Sequence, residues 1–558
     1  MVVAMLAACS KSNDNEPAAS GSSGASGSPS AGSSESTSPS PSESSAPLRD
    51  GKFDPPVTVT TWGYYSNTYK FADGQSIDKN TALDWAKEKL GIEFKYLWTS
   101  PWENDAALTK MRLSLSSGEK LPDVVYVSVD AKGRAIIADL IETGQFMDVS
   151  ELFDKHASDA LKGILDNHPE LWQFASKDGK KYGIPKTHDP YANAPLMYIR
   201  EDWLKNVGMK TPTTIAELDA VMDAFANKDP EKDGKKNTFG VSLGTKNTWL
   251  EGFNGTGWIF GAYGTVPTYW IKGADGKLQY GSVQPGAREA LLKLNEWYKK
   301  GYIDPEFATK DATKAAESVT AGKTGILTGP YWMPIWPLPD LVKNVPEAVM
   351  APAVLPAGPN GKPGFNEGDS LLGVFLVNKD MKNPEALMVY LNKMLQAGTR
   401  EKGSDVEFGF VEGYDYKLVD GKPVADQVNR VDAILPGNGA MMVPERNVES
   451  LAYLSTGAEP RNMFDQGNVS AQPAHLPGAI MQKQFPFGIV NEFKGATTPT
   501  METKWEALTK METEVFTKIV YGREPIEAFD EFVKKWKSSG GDQITQEVND
   551  WYAATGQK

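Results

Sequence analysis

The 558-residue chain contains one cysteine, Cys9, and four histidines, His156, His168, His188 and His475. A single thiol forms no internal disulfide, so the fold must be held by its cores. The histidines are scattered, with no HxH or HxxxH pair, which disfavours a zinc site and a histidine-based nucleophilic triad. Positive charge is also short: 58 Lys and Arg against 72 Asp and Glu leave a net charge of −14. Nucleic-acid binding depends on clustered Lys and Arg, so the balance argues against that partner and against adsorption to anionic lipid. No stretch reaches the roughly 18 apolar residues of a membrane span. Apolar residues make up 40% of the chain and charged residues 23%, the composition of a soluble globular protein. Its length exceeds what one core serves, and two or three domains are expected. The surplus is aromatic: 15 Trp and 20 Tyr, more than a core requires.

Cys9 lies in Met5-Leu6-Ala7-Ala8-Cys9-Ser10. Two small residues and a short apolar run before a cysteine resemble the lipobox of bacterial lipoproteins. The resemblance implies cleavage before Cys9 and a diacylated thiol, and two acyl chains meet the need of stable anchoring for two signals. Residues 1–8 carry no Lys or Arg and fall short of a complete export signal, which points to a start upstream of Met1. Residues 10–48 are mostly Ser, Gly, Pro, Ala, Asn and Glu. Such a segment cannot offset its ordering entropy by burial, and it predicts a flexible tether with a reach of roughly 35 Å. A lipid-held protein on the outer face of a cell membrane is the expectation.

The body opens with Val57-Thr58-Val59-Thr60-Thr61-Trp62, an alternating β-branched strand. A helix is expected over 78–90, stopped by Gly91, then a strand over 92–97, a helix over 104–116 and a strand from Pro122 to Val127. This alternation predicts βαβ units and a parallel sheet covered on both faces. Short extended pieces follow at 182–185 and 196–200, with a helix over 201–207 ended by Gly208. Thr214 and Glu217 are spaced for a capped helix start. The apolar run 371–377 reads as a buried strand, and a helix is expected from Asn383-Pro384-Glu385 to near Leu395. Residues 504–552 read as almost wholly helical.

Three motifs in order, Lys181-Tyr182-Gly183-Ile184-Pro185, Tyr198-Ile199-Arg200-Glu201-Asp202-Trp203-Leu204 and Gly208…Thr211-Pro212-Thr213-Thr214, resemble extracellular solute-binding lipoproteins of carbohydrate ABC importers. Phe516-Thr517-Lys518-Ile519-Val520-Tyr521-Gly522 and Gly540-Gly541-Asp542-Gln543-Ile544-Thr545 are similar to the large Gram-positive members of the LplA type. The resemblance spans residues from about 55 to the end. It implies an α/β, two-lobed periplasmic-binding-protein-like fold (type II) with central sheets flanked by helices, an interlobe cleft and a hinge of two or three crossing segments. Lobe 1 is expected over 55–187 and 366–400, and lobe 2 over 188–365 and 401–558. The implied activity is non-catalytic: a monomer captures an oligosaccharide and delivers it to the transmembrane subunits of an ABC permease.

A sugar presents a face of C–H groups and a rim of hydroxyls, so its site needs aromatic platforms and fixed polar groups. Trp62, Tyr64 and Tyr65 end the first strand, at the carboxyl edge where open α/β sheets bind ligands. Trp102 lies in a loop after a strand, and Trp258 lies among glycines, as an exposed ring near a backbone bend would. Tyr331, Trp332 and Trp336 fall in a Pro-rich loop. Tyr269 and Trp270 fit a platform, but a half-buried strand explains them equally. Trp85, Trp203, Trp297, Trp505 and Trp536 fall on helix faces and read as core. Among polar groups, Asp130, Glu367, Asp369 and Arg200 are candidates for sugar hydroxyls, although Arg200 has Glu201 and Asp202 beside it for an ion pair.

Residues 229–238 resemble an EF-hand calcium loop. Asp229, Glu231, Asp233, the Lys235 carbonyl and Asn237 fall at ligand positions 1, 3, 5, 7 and 9, and Gly234 falls at the turn position 6. Position 12 is Gly240 instead of the bidentate Glu. In the solute-binding family an acid directly after position 9 often completes the loop, and here that residue is Thr238. A structural Ca2+ is expected; a charged turn neutralised by Lys228, Lys232, Lys235 and Lys236 is the alternative. Two other functions stay open at this point. A secreted glycosidase would need a carboxylate pair, with Asp130 and Asp369 the best choice. A peptide or siderophore receptor of similar architecture would also have aromatic walls.

Overall fold

The computed structural model describes residues 47–65, 71–101, 106–129, 131–425, 435–437, 439, 441–471 and 477–555. Cys9, the 10–46 tether, Trp102 and Asp130 lie outside them. Among the described residues nine strands build the two larger sheets. In chain order they are β1 (Val57–Tyr65), β2 (Ile92–Pro101), β3 (Val124–Ser128), β4 (Gly183–Thr187), β5 (Leu196–Arg200), β6 (Phe239–Val241), β7 (Thr324–Gly329), β8 (Met350–Ala353) and β9 (Leu371–Val377).

The sheet of lobe 1 runs β2-β1-β3-β9-β4. Its first three strands are parallel, joined by helical crossovers as the alternating pattern predicts. The rest departs from a purely parallel sheet: β9 arrives from far along the chain and runs antiparallel to both β3 and β4. Its insertion between them explains the unbroken apolar run of Leu371–Val377, in which only Leu372 is less than fully buried. The expected helix over 78–90 begins later, at Thr81, because Asn80 caps it by accepting the Leu83 N–H at 3.0 Å. Its last turn, Ala86–Leu90, widens to π geometry before Gly91, whose φ of 67° ends it. A Cβ at Gly91 would stand 2.1 Å from the Phe53 carbonyl oxygen, so a side chain is excluded there on two grounds.

Lobe 2 is built on the sheet β6-β7-β5-β8, with β6 parallel to β7 and β5 antiparallel to both β7 and β8. Alternation along β5 explains why every residue in it is buried. Met197 and Ile199 enter one core, while Leu196 and Tyr198 enter a second on the opposite face. The first of these cores also takes the helix Pro285–Lys299 and the C-terminal helices Pro499–Val520, Glu527–Trp536 and Asp542–Ala554. Thr214 caps the helix Ile215–Asn227 by accepting the Glu217 N–H at 3.2 Å, while the Glu217 carboxylate accepts from Thr213 N–H and Oγ at 2.7 Å.

Three segments cross between the lobes: 188–195 between β4 and β5, 366–370 leading into β9, and 442–446. They are laced together, with His188 N–H donating to Ser370 O, Gly368 N–H to Pro190 O, and the Thr187 hydroxyl to Met442 O. The third crossing follows a return of the chain to the first core. Val406, Leu435 and Met441 pack in the lobe 1 core, so the chain after 400 does not pass directly into lobe 2.

Candidate ligand cleft

β7 ends at Gly329 and feeds the loop that carries Tyr331, Trp332 and Trp336, so the carboxyl edge of the lobe 2 sheet faces the crossing segments. Trp332 donates its indole N–H to Ala192 O in the first crossing, at 3.2 Å. Trp332 and Trp336 lie with ring centroids 6.4 Å apart and planes 23° apart, and Phe253 packs edge-on against both, at 5.9 and 5.5 Å. Trp336 is 42% exposed. The Tyr331 ring is half-buried, and burial pushes its phenol well above the ordinary value. These rings form the accessible aromatic face of lobe 2.

A second aromatic pair lies under the crossings. Tyr191 stacks on Phe485 with centroids 3.8 Å apart, and Tyr269 Oη donates to Glu367 O at 2.9 Å. Burial pushes the Glu367 carboxyl up to about 7, against the opposing charge of Lys494. Burial likewise raises Asp189 to about 6, opposed by backbone donors that include the Tyr191 N–H at 2.9 Å. His188 is pushed down to about 4 by burial and by the charge of Lys186. Asp369 is ion-paired with Lys494 and with Arg134, the latter at 3.5 Å. Arg134 belongs to the lobe 1 helix Ala131–Glu142 and also donates to Phe493 O of lobe 2 at 3.1 Å, so this cluster bridges the lobes.

Between the first two crossings and lobe 2 lies a small recess of about 10 Å³, room for about one water, lined by Asn193, Glu251, Phe253, Trp258, Thr328 and Asn366 among others. Two of the lining residues, Thr328 and Trp258, each have a buried polar atom, Oγ1 and Nε1, without a hydrogen-bond partner among the described residues. Burial raises the Glu251 carboxyl above its ordinary value.

Several expected residues are placed elsewhere. Trp62 is 4% exposed and stacks on Trp98 of β2 at 5.0 Å, because it is part of the inward face of β1. Trp258 is 1% exposed and packs on Trp297 at 6.1 Å. Its glycine neighbours serve close packing instead of an exposed bend: a Cβ at Gly261 would stand 2.2 Å from the Gly364 carbonyl carbon. Trp270 is buried between Tyr280 and Phe493. None of the three is an open platform. Arg200 ends β5 at the side opposite the cleft, since Leu196 is the residue paired with Gly329. Four residues of strand put it about 13 Å away. It is held there in a bidentate pair with Asp202, at 2.6 and 2.8 Å. Tyr65 remains at the carboxyl edge of lobe 1, half-buried, and Tyr64 shares that strand end.

The 229–238 loop has the expected turn. Gly234 takes φ 78°, and the two oxygens of Asp229 accept the N–H groups of Asp233 and Gly234 at 3.0 and 2.9 Å. Its acids are otherwise engaged, Glu231 with Lys323 at 3.4 Å and Asp233 with Lys235 at 3.0 Å. Lys235 and Asn237 stay exposed in the loop. Thr238 is corrected as a ligand: it is buried, and its hydroxyl donates inward to Phe225 O at 2.7 Å. Among the described residues no group of three or more His, Cys, Asp or Glu side chains is arranged to hold a metal ion.

A family model described as bacterial extracellular solute-binding protein matches residues 70–401. The chain belongs to this family. Lipoprotein LipO of Bacillus subtilis (strain 168) is 24% identical over 484 residues, covering 86% of this chain and 90% of that protein. The polygalacturonan/rhamnogalacturonan-binding protein YtcQ of the same organism is 24% identical over 466 residues, covering 80% and 84%. Among solved structures, alginate-binding protein AlgQ2 without calcium ion matches with a TM-score of 0.65 at 19% identity, covering 90% of this chain and 98% of that one. The S. pneumoniae substrate-binding protein FusA, an EF-hand mutant in complex with fructo-nystose, matches with a TM-score of 0.62 at 18% identity, covering 90% and 99%. These structures share the two-lobed fold. Segments that cross between two lobes are the places where folds of this kind can hinge. Among the described residues no helix is long and apolar enough to cross a membrane.

Sequence reading missed Tyr191, Phe253, Glu251, Thr328, Asn366, Arg134 and Lys494. The one signal available was position: Tyr191 and Asn366 fall in Pro- or Gly-rich stretches beside predicted strands. The others meet only through the fold.

Proposed function

We propose that this protein captures an oligosaccharide in the interlobe cleft and delivers it intact to an ABC permease. The observation that carries the reading is the Phe253–Trp332–Trp336 face, held against the first crossing by the Trp332–Ala192 bond. Indole rings stack on sugar C–H faces, and exclusion of water between ring and sugar strengthens the neighbouring hydrogen bonds. Ligand touching both lobes stabilises the closed state, which the permease then reads. Lipid attachment at Cys9 holds the monomer at the outer face of the membrane, in keeping with a relative named as a lipoprotein.

The glycosidase reading is disfavoured, because Asp369 is committed to Arg134 and Lys494 and the family is one of binding proteins. The 229–237 loop is the proposed Ca2+ site, with Asp229, Glu231, Asp233, the Lys235 carbonyl and Asn237 as ligands. The ion takes the place of Lys323 and Lys235 as partner of the acids. Its role is structural, supplementing the Thr238–Phe225 bond that fastens helix to strand.

Calorimetric titration with a panel of neutral and acidic oligosaccharides tests the reading, with mass spectrometry of the sugar afterwards. A stoichiometric heat with unchanged sugar is expected. Silence across the panel, or shortened products, refutes it.

A further inference from the structure

The charges clustered at the second crossing join the lobes at a place apart from the aromatic face. Arg134 is fixed to lobe 1: its Nε donates to Val129 O at 2.8 Å, and its guanidinium lies 4.7 Å from the centre of the Phe174 ring. Its Nη1 reaches across to Phe493 O of lobe 2 at 3.1 Å, and its Nη2 stands 3.5 Å from Asp369 of the crossing. Lys494 of lobe 2 pairs with the other oxygen of Asp369. The lobe 2 half is fixed as well, since Phe493 packs on Trp270 and Trp551 and the Glu492 N–H donates to Trp270 O at 2.8 Å. The side chains of Arg134 and Lys494 are only 14% and 13% exposed, so their attraction to Asp369 is screened less than on an open surface.

Position decides what such a bridge does. Phe365–Asn366 pairs in parallel with Gly488–Ile489, and the ladder continues through the Glu367 N–H to Ile489 O. Successive side chains of this extended segment point opposite ways. A Cβ at Gly257 would meet Asn366 Oδ1, whereas one at Gly488 would meet Glu367 Oε2. Asn366 thus faces the Phe253–Trp258 segment beside the aromatic face, while Glu367 turns to a separate cavity of about 200 Å³. Leu171 and Phe174 of lobe 1, Glu367 and Asp369 of the crossing, and Val490 and Lys494 of lobe 2 are among its walls. It shares no lining residue with the recess next to Phe253, and the crossing stands between the two. When lobes turn about a pivot, contacts on one side of it separate as those on the other side come together.

Resting on the reading that sugar is held between the lobes, we propose that Arg134, Asp369 and Lys494 form a latch that opposes closure of the cleft. Arg134 is then a positioning residue, setting sugar affinity from outside the sugar site. Closing the cleft over Trp332 and Trp336 draws Arg134 away from Phe493 O and parts the ion pairs. Apparent affinity scales with the closed fraction of the free protein, so a latch that lowers this fraction weakens binding by the same factor. A hydrogen bond to a charged group shifts an equilibrium by about tenfold or more, and the partial exposure of this network keeps the effect near the lower figure.

The test measures interlobe distance and sugar affinity in the full chain carrying Cys9→Ser. Spin labels at Asp154→Cys of lobe 1 and Lys510→Cys of lobe 2, both exposed helix positions, report the distance. Calorimetry on unlabelled protein uses β-1,4-galactotriose, chitotriose and trigalacturonate as probes. Without sugar, Arg134→Ala and the isosteric Asp369→Asn are each expected to shift the distance distribution away from that of the wild type. Toward a probe that the wild type binds, each is expected to lower Kd by about tenfold, and the double variant to add little to either alone. Damage to the fold weakens binding, so a gain in affinity separates a latch from a merely structural ion pair. Unchanged distances in both variants, or a Kd that rises or stays the same, overturn the latch while leaving the oligosaccharide reading intact. Failure of all three probes to bind the wild type counts against the oligosaccharide reading, and the distances then decide the latch alone.

Discussion

Glu512 is a carboxyl sealed in the lobe 2 core, 2% exposed, accepting hydrogen bonds from Tyr280 Oη and Ser282 Oγ at 2.8 Å each. Burial pushes it from 4.5 up to about 7, against the two hydroxyl donors that favour the anion. Among the described residues no cation acts on it, so desolvation wins. A carboxyl whose native value lies above its unfolded one binds its proton more tightly when folded. Its contribution to stability is therefore complete below pH 4.5 and fades as pH rises through 7. Each pH unit of separation is worth about 1.4 kcal/mol, so the whole swing is about 3 kcal/mol between pH 4 and 8. Replacing Glu512 by Gln keeps the shape and an acceptor oxygen while removing the proton exchange. Urea unfolding of wild type and Glu512→Gln at pH 5, 6, 7 and 8 measures the difference directly, and other titrating groups cancel in the subtraction. The variant is expected to gain on the wild type by about 2.5 kcal/mol across that range, most steeply between pH 5 and 7. A stability difference that is flat with pH would refute the reasoning, because it would mean the buried carboxyl titrates normally.

Trp332→Ala removes the central ring of the exposed aromatic face, and ligand affinity is expected to fall about tenfold, the scale of a stacked aromatic contact. Calorimetry with a sugar that binds the wild type is the measurement, and an unchanged Kd would remove Trp332 from the site. Asp233→Ala deletes a central acid of the 229–237 loop. The wild type at calcium about a hundredfold above Kd should gain about 2.7 kcal/mol, read as a raised melting temperature that chelator reverses. The variant should show no calcium response, and an equal response in both proteins would place the ion elsewhere.

Strand and helix positions in the body were largely legible because local signals and tertiary needs agreed. β5 over Leu196–Arg200, the helix Glu201–Val207 with Gly208 behind it, and the run Leu371–Val377 all form where their residues predict. Sheet topology was less so. Nothing local in Leu371–Val377 tells that it runs between β3 and β4 against their direction, since a strand buried on both faces has the same composition either way. The path of the chain after 400 was hidden for a related reason. Val406, Leu435 and Met441 join a core whose first members lie hundreds of positions upstream.

The site was harder to read because an indole looks the same whether it serves a core or a ligand. Trp62, Trp258 and Trp270 are buried, whereas Trp332 and Trp336 stay accessible. What separates them is backbone, and part of that separation was in the sequence. Proline fixes its own φ and removes a donor, so Gly329-Pro330-Tyr331-Trp332-Met333-Pro334 and Trp336-Pro337 cannot enter a strand or a long helix, and their rings stay at the sheet edge. Glycine around Trp258 does the opposite. It lets the helix Gly257–Ala262 press against Phe365–Asn366, where a Cβ at Gly257 would lie 2.0 Å from Asn366 Oδ1. The same close approach sets Asn366 of the second crossing against the short helix that carries Trp258, so the glycines that bury this indole also fasten the crossing to lobe 2.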